Sequence, residues 1–332
     1  MNLKNLRQIH GFAFERVQQS PSQKQIVVIY GALAQGLTAL VTVGNHVLGL
    51  QIDNYGGLSN LGKRNMLSSL QSMLPMLHSL LTMCLEVGYL AAMLRIARGM
   101  HTSPQTLRLG FDRFWLLLRC SIFRGLIMTG VLFASLYFGV LIYTMSPFAE
   151  PAVEILTPLL RQASVLDSGI VIDDAVYGAL MEAMIPAFVI CGILAVALGG
   201  PVLYNYRMVN YVIIDKPAVG ALAALRESKR MMRGNRLQLL KLDISLWWYY
   251  LPVAGAMAVC YGDVLLPMLG VQLPVSETVA FFGFYALYLL ASFGVYFFLR
   301  NRAEVCYALA YDAVKPEEKQ DSGVVLGNIF QM

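Results

Sequence analysis

The sequence predicts an all-α protein, a polytopic membrane helix bundle with six transmembrane helices and a basic amphipathic helix on its cytoplasmic side. Three observations carry this expectation. Of the 332 residues 57% are hydrophobic and 14% charged, with a mean hydropathy of +0.60, a balance outside the range of soluble domains. Six apolar runs are each long enough, at about 1.5 Å per residue, to cross roughly 30 Å of hydrocarbon. Lysine and arginine are also confined almost entirely to alternate connections between those runs, which is the charge signature of membrane topology.

Taken in order, residues 1–24 form a polar cytoplasmic segment, too long for the n-region of a typical signal. The apolar run behind it continues past a weak Ala-x-Ala at Ala32 and Ala34, so it is expected to stay as an uncleaved anchor. Residues 25–312 form the membrane domain, with spans at about 25–50, 67–94, 125–145, 179–204, 244–269 and 278–299. Ser103 and Pro104 open a short helix. Arg113, Arg119 and Arg124 are spaced too closely to enter hydrocarbon, so the third span is set to begin at Gly125, with Trp115 in an interfacial lead-in. An acidic loop follows over 147–177, with a surface helix at 151–163. The last helix runs on through Tyr311 before a polar tail, 313–332.

Orientation follows from the basic residues. The N-terminal segment holds four, 95–124 six, 207–241 eight and the C-terminal segment four, against two, one and none in the intervening loops. Both termini are therefore expected in the cytoplasm. Glu150, Glu154, Asp167, Asp173 and Asp174 lie on the outer side. The second span, its short helix and the Arg-bearing lead-in to the third (Gly110, Arg113, Arg119) echo the fourth span, the basic helix and the lead-in to the fifth (Gly234, Arg236, Lys241), as a parallel repeat would.

The basic helix occupies 221–233, opened by Pro217 and Gly220 and closed by Gly234. On a wheel of about 100° per residue, Ala221, Ala224, Leu225, Ser228, Met231 and Met232 share one face. Arg226, Lys229, Arg230 and Arg233 cluster opposite. These four are the expected contacts for anionic phospholipid headgroups, and the apolar stripe can insert shallowly or pack on the bundle.

Residues 88–110 (GYLAAMLRIARGMHTSPQTLRLG) and 218–248 (AVGALAALRESKRMMRGNRLQLLKLDISLWW) resemble the bacterial integral membrane proteins catalogued as domain of unknown function nine-seven-five. The matching positions are Gly88, Tyr89, Ala97, Gly99 and Phe111 in the first block. In the second they are Ala221, Ser228, Met232, Gly234, Leu239, Leu242, Ser245 and Trp247, with Tyr307 and Tyr311 as a looser echo. The family commonly has an acidic residue where this chain has Ala223, and a shorter loop after the third span. The resemblance implies a polytopic protein of the bacterial inner (plasma) membrane and supplies no activity.

Glu86 is the most informative single residue. It lies nine residues before Arg95, hence about 13 Å along the helix, and a charge near the bilayer centre costs on the order of 3 kcal/mol. It should face the bundle, either to bind a proton or cation or as a structural carboxyl. His78 sits two turns earlier but about 80° away on the wheel, so no shared relay is required. Lys241 and Asp243 read as interfacial anchors alongside Trp247, Trp248, Tyr249 and Tyr250. The pairs Ala32/Gly36, Ala195/Gly199 and Ala254/Ala258 read as close helix contacts within the chain.

The five cysteines are scattered and read as small buried apolar side chains. No metal or cofactor signature occurs, and none of HExxH, GxSxG or a P-loop. The expected function is a non-enzymatic membrane or envelope maintenance protein whose partner is the lipid bilayer, with protein partners unassigned. The alternative is a transporter or flippase-like permease for an amphiphile. A net charge of +5 placed this way does not point to nucleic acid. In a cysteine-free background, single cysteines near Lys4, Ser103 and Gln320 should be shielded from an impermeant thiol reagent in intact cells, and one near Ser168 labelled. The reverse pattern would overturn the topology.

Overall fold

A computed structural model describes residues 5–55, 60–163, 174–271 and 275–315. Every regular element among them is helical: α1 Leu6–Gln19, α2 Gln23–Asn54, α3 Leu61–Ala97, α4 Leu109–Asp112, α5 Phe114–Thr144, α6 Glu150–Ala163, α7 Asp174–Asn205, α8 Val209–Asp215, α9 Ala221–Met232, α10 Arg236–Ser245, α11 Trp247–Cys260, α12 Gly262–Met268, α13 Glu277–Val295 and α14 Asn301–Val314. A 3-10 turn, Pro104–Arg108, precedes α4, and a π turn, Tyr296–Arg300, joins α13 to α14.

The long helices pack as three pairs, α2 with α3, α5 with α7, and α11 with α13. Five helices are long and apolar enough to cross a membrane, or six if α11 and α12, bent by 77° at Tyr261, make one span. The sequence pattern places one span over 244–269. Gly262 follows the bend, and its α-carbon lies so close to the Phe284 ring that a β-carbon would sit 2.6 Å from it. Gly270, at φ +80°, closes α12. The expected continuation of the last helix through Tyr311 is present, since α13, the π turn and α14 run to Val314. Helix α5 starts at Phe114, so Arg119 and Arg124 ride exposed on its first turns ahead of Gly125.

The core lies at one end of the bundle, the end shared by the starts of α2, α5 and α11 and the ends of α3, α7 and α13. Every residue from Val87 to Leu94 is buried. A helix buried all round needs neighbours on every side. Here they are α1, the 104–112 segment, α8 and α14, contributing Ile9, Ala13, Val17, Leu107, Val212, Ile213, Val305 and Ala308. Away from this end protein contact thins. Of the most apolar stretches, 67% is buried in α3 but 11% in α5 and in Val176–Asp215. Phe133, Val196 and Leu290 stand exposed. A smaller cluster at the far end, Tyr143, Ala149, Ala152 and Ala187, folds α6 back on α7, and Tyr143 donates a hydrogen bond to the Ala183 carbonyl at 2.9 Å.

Two glycines set the approach of 104–112 to α3. A β-carbon on Gly88 would collide with the Leu107 backbone, and one on Gly110 with the Cys84 backbone. The two segments therefore touch main chain to main chain. Gly234, which the repeat would pair with Gly110, has another role: at φ +86° and with open space around it, it follows α9 as a left-handed cap.

The small-residue pairs are corrected in part. Ala195 and Gly199 do lie within the chain, Gly199 being 3.8 Å from Met128 and 3.9 Å from Val131 of α5 by its would-be β-carbon. Ala32, Gly36, Ala254 and Ala258 are exposed. The tight crossing of α5 on α7 is instead at Gly139, against Cys191. All five cysteines are free, with Cys84, Cys120 and Cys306 buried and the other two half-buried.

Gly88→Ala and Gly110→Ala should each destabilise the protein by about 3 kcal/mol, because backbone rather than a pliant side chain must move. Gly36→Ala, with nothing within 4 Å, should be neutral. Thermal unfolding in detergent micelles checks both, and equal behaviour of the three variants would refute the interlock.

Candidate functional site

The polar interior is organised along one face of the last helix. Arg300, Glu304, Tyr307 and Tyr311 follow one another at helical spacing, and Arg300, Tyr307 and Tyr311 each meet partners from other elements. The π turn that ends at Arg300 interrupts the α-helical register between α13 and α14, a local widening that recurs at functional sites.

At the first station Arg300 is 9% exposed. Its Nη2 is 3.7 Å from Glu86 Oε1 on α3, and its Nε is 3.8 Å from Glu304 Oε1 one turn on. The guanidinium lies over the rings of Tyr30 at 5.0 Å, Tyr89 at 5.4 Å and Tyr296 at 4.7 Å, with Tyr30 and Tyr89 stacked on each other at 4.3 Å. Such faces attract a cation without carrying a net charge. Asn301 donates to Gln23, tying the start of α14 to that of α2.

At the second station Asp243 of α10 accepts hydrogen bonds from Tyr204 at 2.6 Å and from Tyr307. Arg207, in the turn between α7 and α8, lies 4.0 Å from the same carboxylate and stacks over the Tyr307 ring at 4.9 Å. Two phenols thus hold Asp243 inward. Lys241 and Trp247 are exposed, while Trp248 and Tyr249 are half-buried against the core.

At the third station Asp215, at the end of α8, accepts from Arg98 Nη1 at 2.8 Å, Lys315 Nζ at 2.6 Å and the Tyr311 hydroxyl at 3.1 Å. Arg98 also forks onto Asp312, Nη2 to Oδ1 at 2.6 Å and Nε to Oδ2 at 3.1 Å. The Asp312 hydrogen bonds, with help from Asp215, hold the Arg98 guanidinium well above its ordinary pKa, so it stays charged at any working pH. Nearby, Arg113 donates to the Ile213 carbonyl in the last turn of α8, where a cation meets the negative end of a helix. Burial pulls its pKa down.

Of the residues singled out from sequence, Glu86 joins the first station and stays half exposed, at 50% of its side chain. His78 does not join it. Its Nε2 lies 3.1 Å from Thr38 Oγ1, which in turn donates to the Ala34 carbonyl, so His78 fastens α3 to α2. The apolar face of α9 is buried at all six expected positions, Ala221, Ala224, Leu225, Ser228, Met231 and Met232. Ser228 donates to the Asn205 carbonyl at 2.8 Å. Arg226, Lys229, Arg230 and Arg233 are all exposed. Sequence reasoning missed Arg300, Glu304, Arg98 and Asp215 as a connected set. The Arg300/Glu304/Tyr307/Tyr311 spacing was the available signal.

These features define a class, a multi-pass helical membrane protein with an ionic interior at its basic end. The model of the family described as "Protein of unknown function (DUF975)" matches residues 35–317, and the chain belongs to that family. No curated protein and no solved structure matches it.

Asp215→Ala should cost about 3–5 kcal/mol, since it leaves Arg98 and Lys315 short of a counter-charge in a partly buried site. Arg98→Lys should cost less but lose the two-pronged grip on Asp312. Thermal unfolding of the purified full chain measures both. An Asp215→Ala variant as stable as the parent would refute the network.

Proposed function

We propose that the protein is a non-enzymatic membrane protein of bacterial envelope maintenance, a six-span protein of the plasma (inner) membrane with both termini in the cytoplasm, whose basic end is held against the anionic leaflet. The observation that carries this reading is the state of α9. Its apolar face is buried against protein, while Arg226, Lys229, Arg230 and Arg233 point outward together. A helix fixed in this way presents its cations as a preformed surface and needs no folding on contact. Arg119 and Arg124 are further exposed cations, on the first three turns of α5. Its partner in this reading is phospholipid, not nucleic acid, and no cofactor enters it. A second reading, a permease for an amphiphile, draws on Glu86, whose carboxylate is half exposed along a long apolar helix and reaches the buried Arg300.

Each cation near an anionic surface contributes about 1 kcal/mol, and salt weakens the effect. The full chain, reconstituted in neutral lipid, should therefore gain up to a few kcal/mol of thermal stability when anionic phospholipid is added. A variant with all four residues changed to Gln should gain much less, with unchanged stability in neutral lipid. Equal gains in both proteins would refute the lipid contact.

A further inference from the structure

The interior charges at the first two stations do not cancel. Arg207 is matched by Asp243 at 4.0 Å. Arg300 alone faces both Glu86, at 3.7 Å, and Glu304, at 3.8 Å. Both contacts exceed hydrogen-bond length, and the Arg300 Nε, buried, has no hydrogen-bond partner. The Tyr89 hydroxyl, on a residue with no exposure, has none either. With both carboxylates ionised the trio carries one uncompensated negative charge beside an aromatic wall.

We propose that Glu86 and Glu304, the two carboxylates that share Arg300, together hold a single exchangeable proton. Two carboxylates that share one cation, one of them largely buried, repel each other, and a proton on either relieves the excess negative charge. One proton taken from water forms one O–H bond on a glutamate oxygen and brings the trio from a charge of −1 to neutrality. No other bond changes. Entry is through Glu86, whose side chain is 50% exposed, rather than through Glu304, at 15%.

The surroundings leave this balance intact. Arg207 is the other cation acting on Glu304, and Asp243 already claims it. From the remaining elements the titratable groups facing the pair are phenols, Tyr30 on α2, Tyr89 on α3, Tyr211 on α8 and Tyr249 on α11, with Tyr296 before α14 and the Cys306 thiol on it. Phenols and thiols are uncharged near neutral pH and supply neither missing cation nor extra anion. The inference is independent of the lipid-contact reading, since α9 takes no part in it.

The test is infrared spectroscopy of the full chain in lipid nanodiscs, following the carbonyl stretch of protonated carboxyl groups as pH is raised from neutral to alkaline. The parent should show a carboxylic-acid band at neutral pH that disappears in alkali. Glu86→Gln and Glu304→Gln should each lose that band, because the remaining carboxylate then meets Arg300 one to one. Thermal unfolding confirms that the variants are folded. If Glu304→Gln fails to fold, Glu86→Gln, at a half-exposed position, decides alone. A parent without the band overturns the proposal, and so does a band that survives in folded Glu86→Gln, which would place the proton on Glu304 through burial alone.

Discussion

A helix with no exposed face is stable only when something covers every side of it, and the stretch from Val87 to Leu94 imposes that demand on the rest of the chain. The first turns after α3 fold straight back across it, close enough that Gly88 and Gly110 meet foreign backbone. Helices α1, α8 and α14 close the remaining sides. Each fully buried leucine- or isoleucine-sized side chain contributes roughly 2 kcal/mol, and Ile9, Ile26, Met93, Leu94, Ile213 and Met232 are all of this kind. Within hydrocarbon, lipid tails are as apolar as leucine, so helix faces gain little by meeting protein, and the exposed apolar residues of α5 and α7 need no further cover there. The core falls instead on the apolar stretch of α3 that is 67% buried, where α1, the 104–112 segment, α8 and α14 surround it.

The ionic stations do a second job, which is to say which element goes where. Apolar burial is non-directional, but a carboxylate between two cations tolerates few arrangements. Asp215 fixes the end of α8 against α3 and α14 through Arg98, Lys315 and Tyr311. Asp243 fixes α10 against α7 and α14 through Tyr204 and Tyr307. Arg300 fixes α14 against α2 and α3. One face of α14 therefore reads out the positions of most neighbours at the basic end.

What the sequence made legible is what depends on near neighbours in the chain. The buried face of α9 was readable residue by residue, because a 3.6-residue period and a terminal glycine are local facts. The run of the last helix past Tyr311 was readable for the same reason. The partners of Arg300 lie some 200 to 270 residues away in sequence at Glu86, Tyr89 and Tyr30, and no local pattern encodes them. Asp243 looked like an anchor because it sits beside Lys241 and an aromatic run; only the fold brings Tyr204 and Tyr307 to it. Small-residue pairs misled for a related reason. Spacing allows close approach, but whether another helix arrives is a tertiary fact, and among the described residues Ala32, Gly36, Ala254 and Ala258 stay exposed.

Two consecutive residues connect the interior to the basic surface. Asp215 turns toward α3 and α14, while Lys216 reaches the other way, its Nζ 2.9 Å from Glu227 on α9. Glu227 is largely buried, so this pair adds direction to a contact that the apolar face of α9 already makes. The orientation of the four exposed cations is thus fixed first by the buried face of α9 and then by this pair, which follows directly in the chain on the carboxylate that meets α3 and α14.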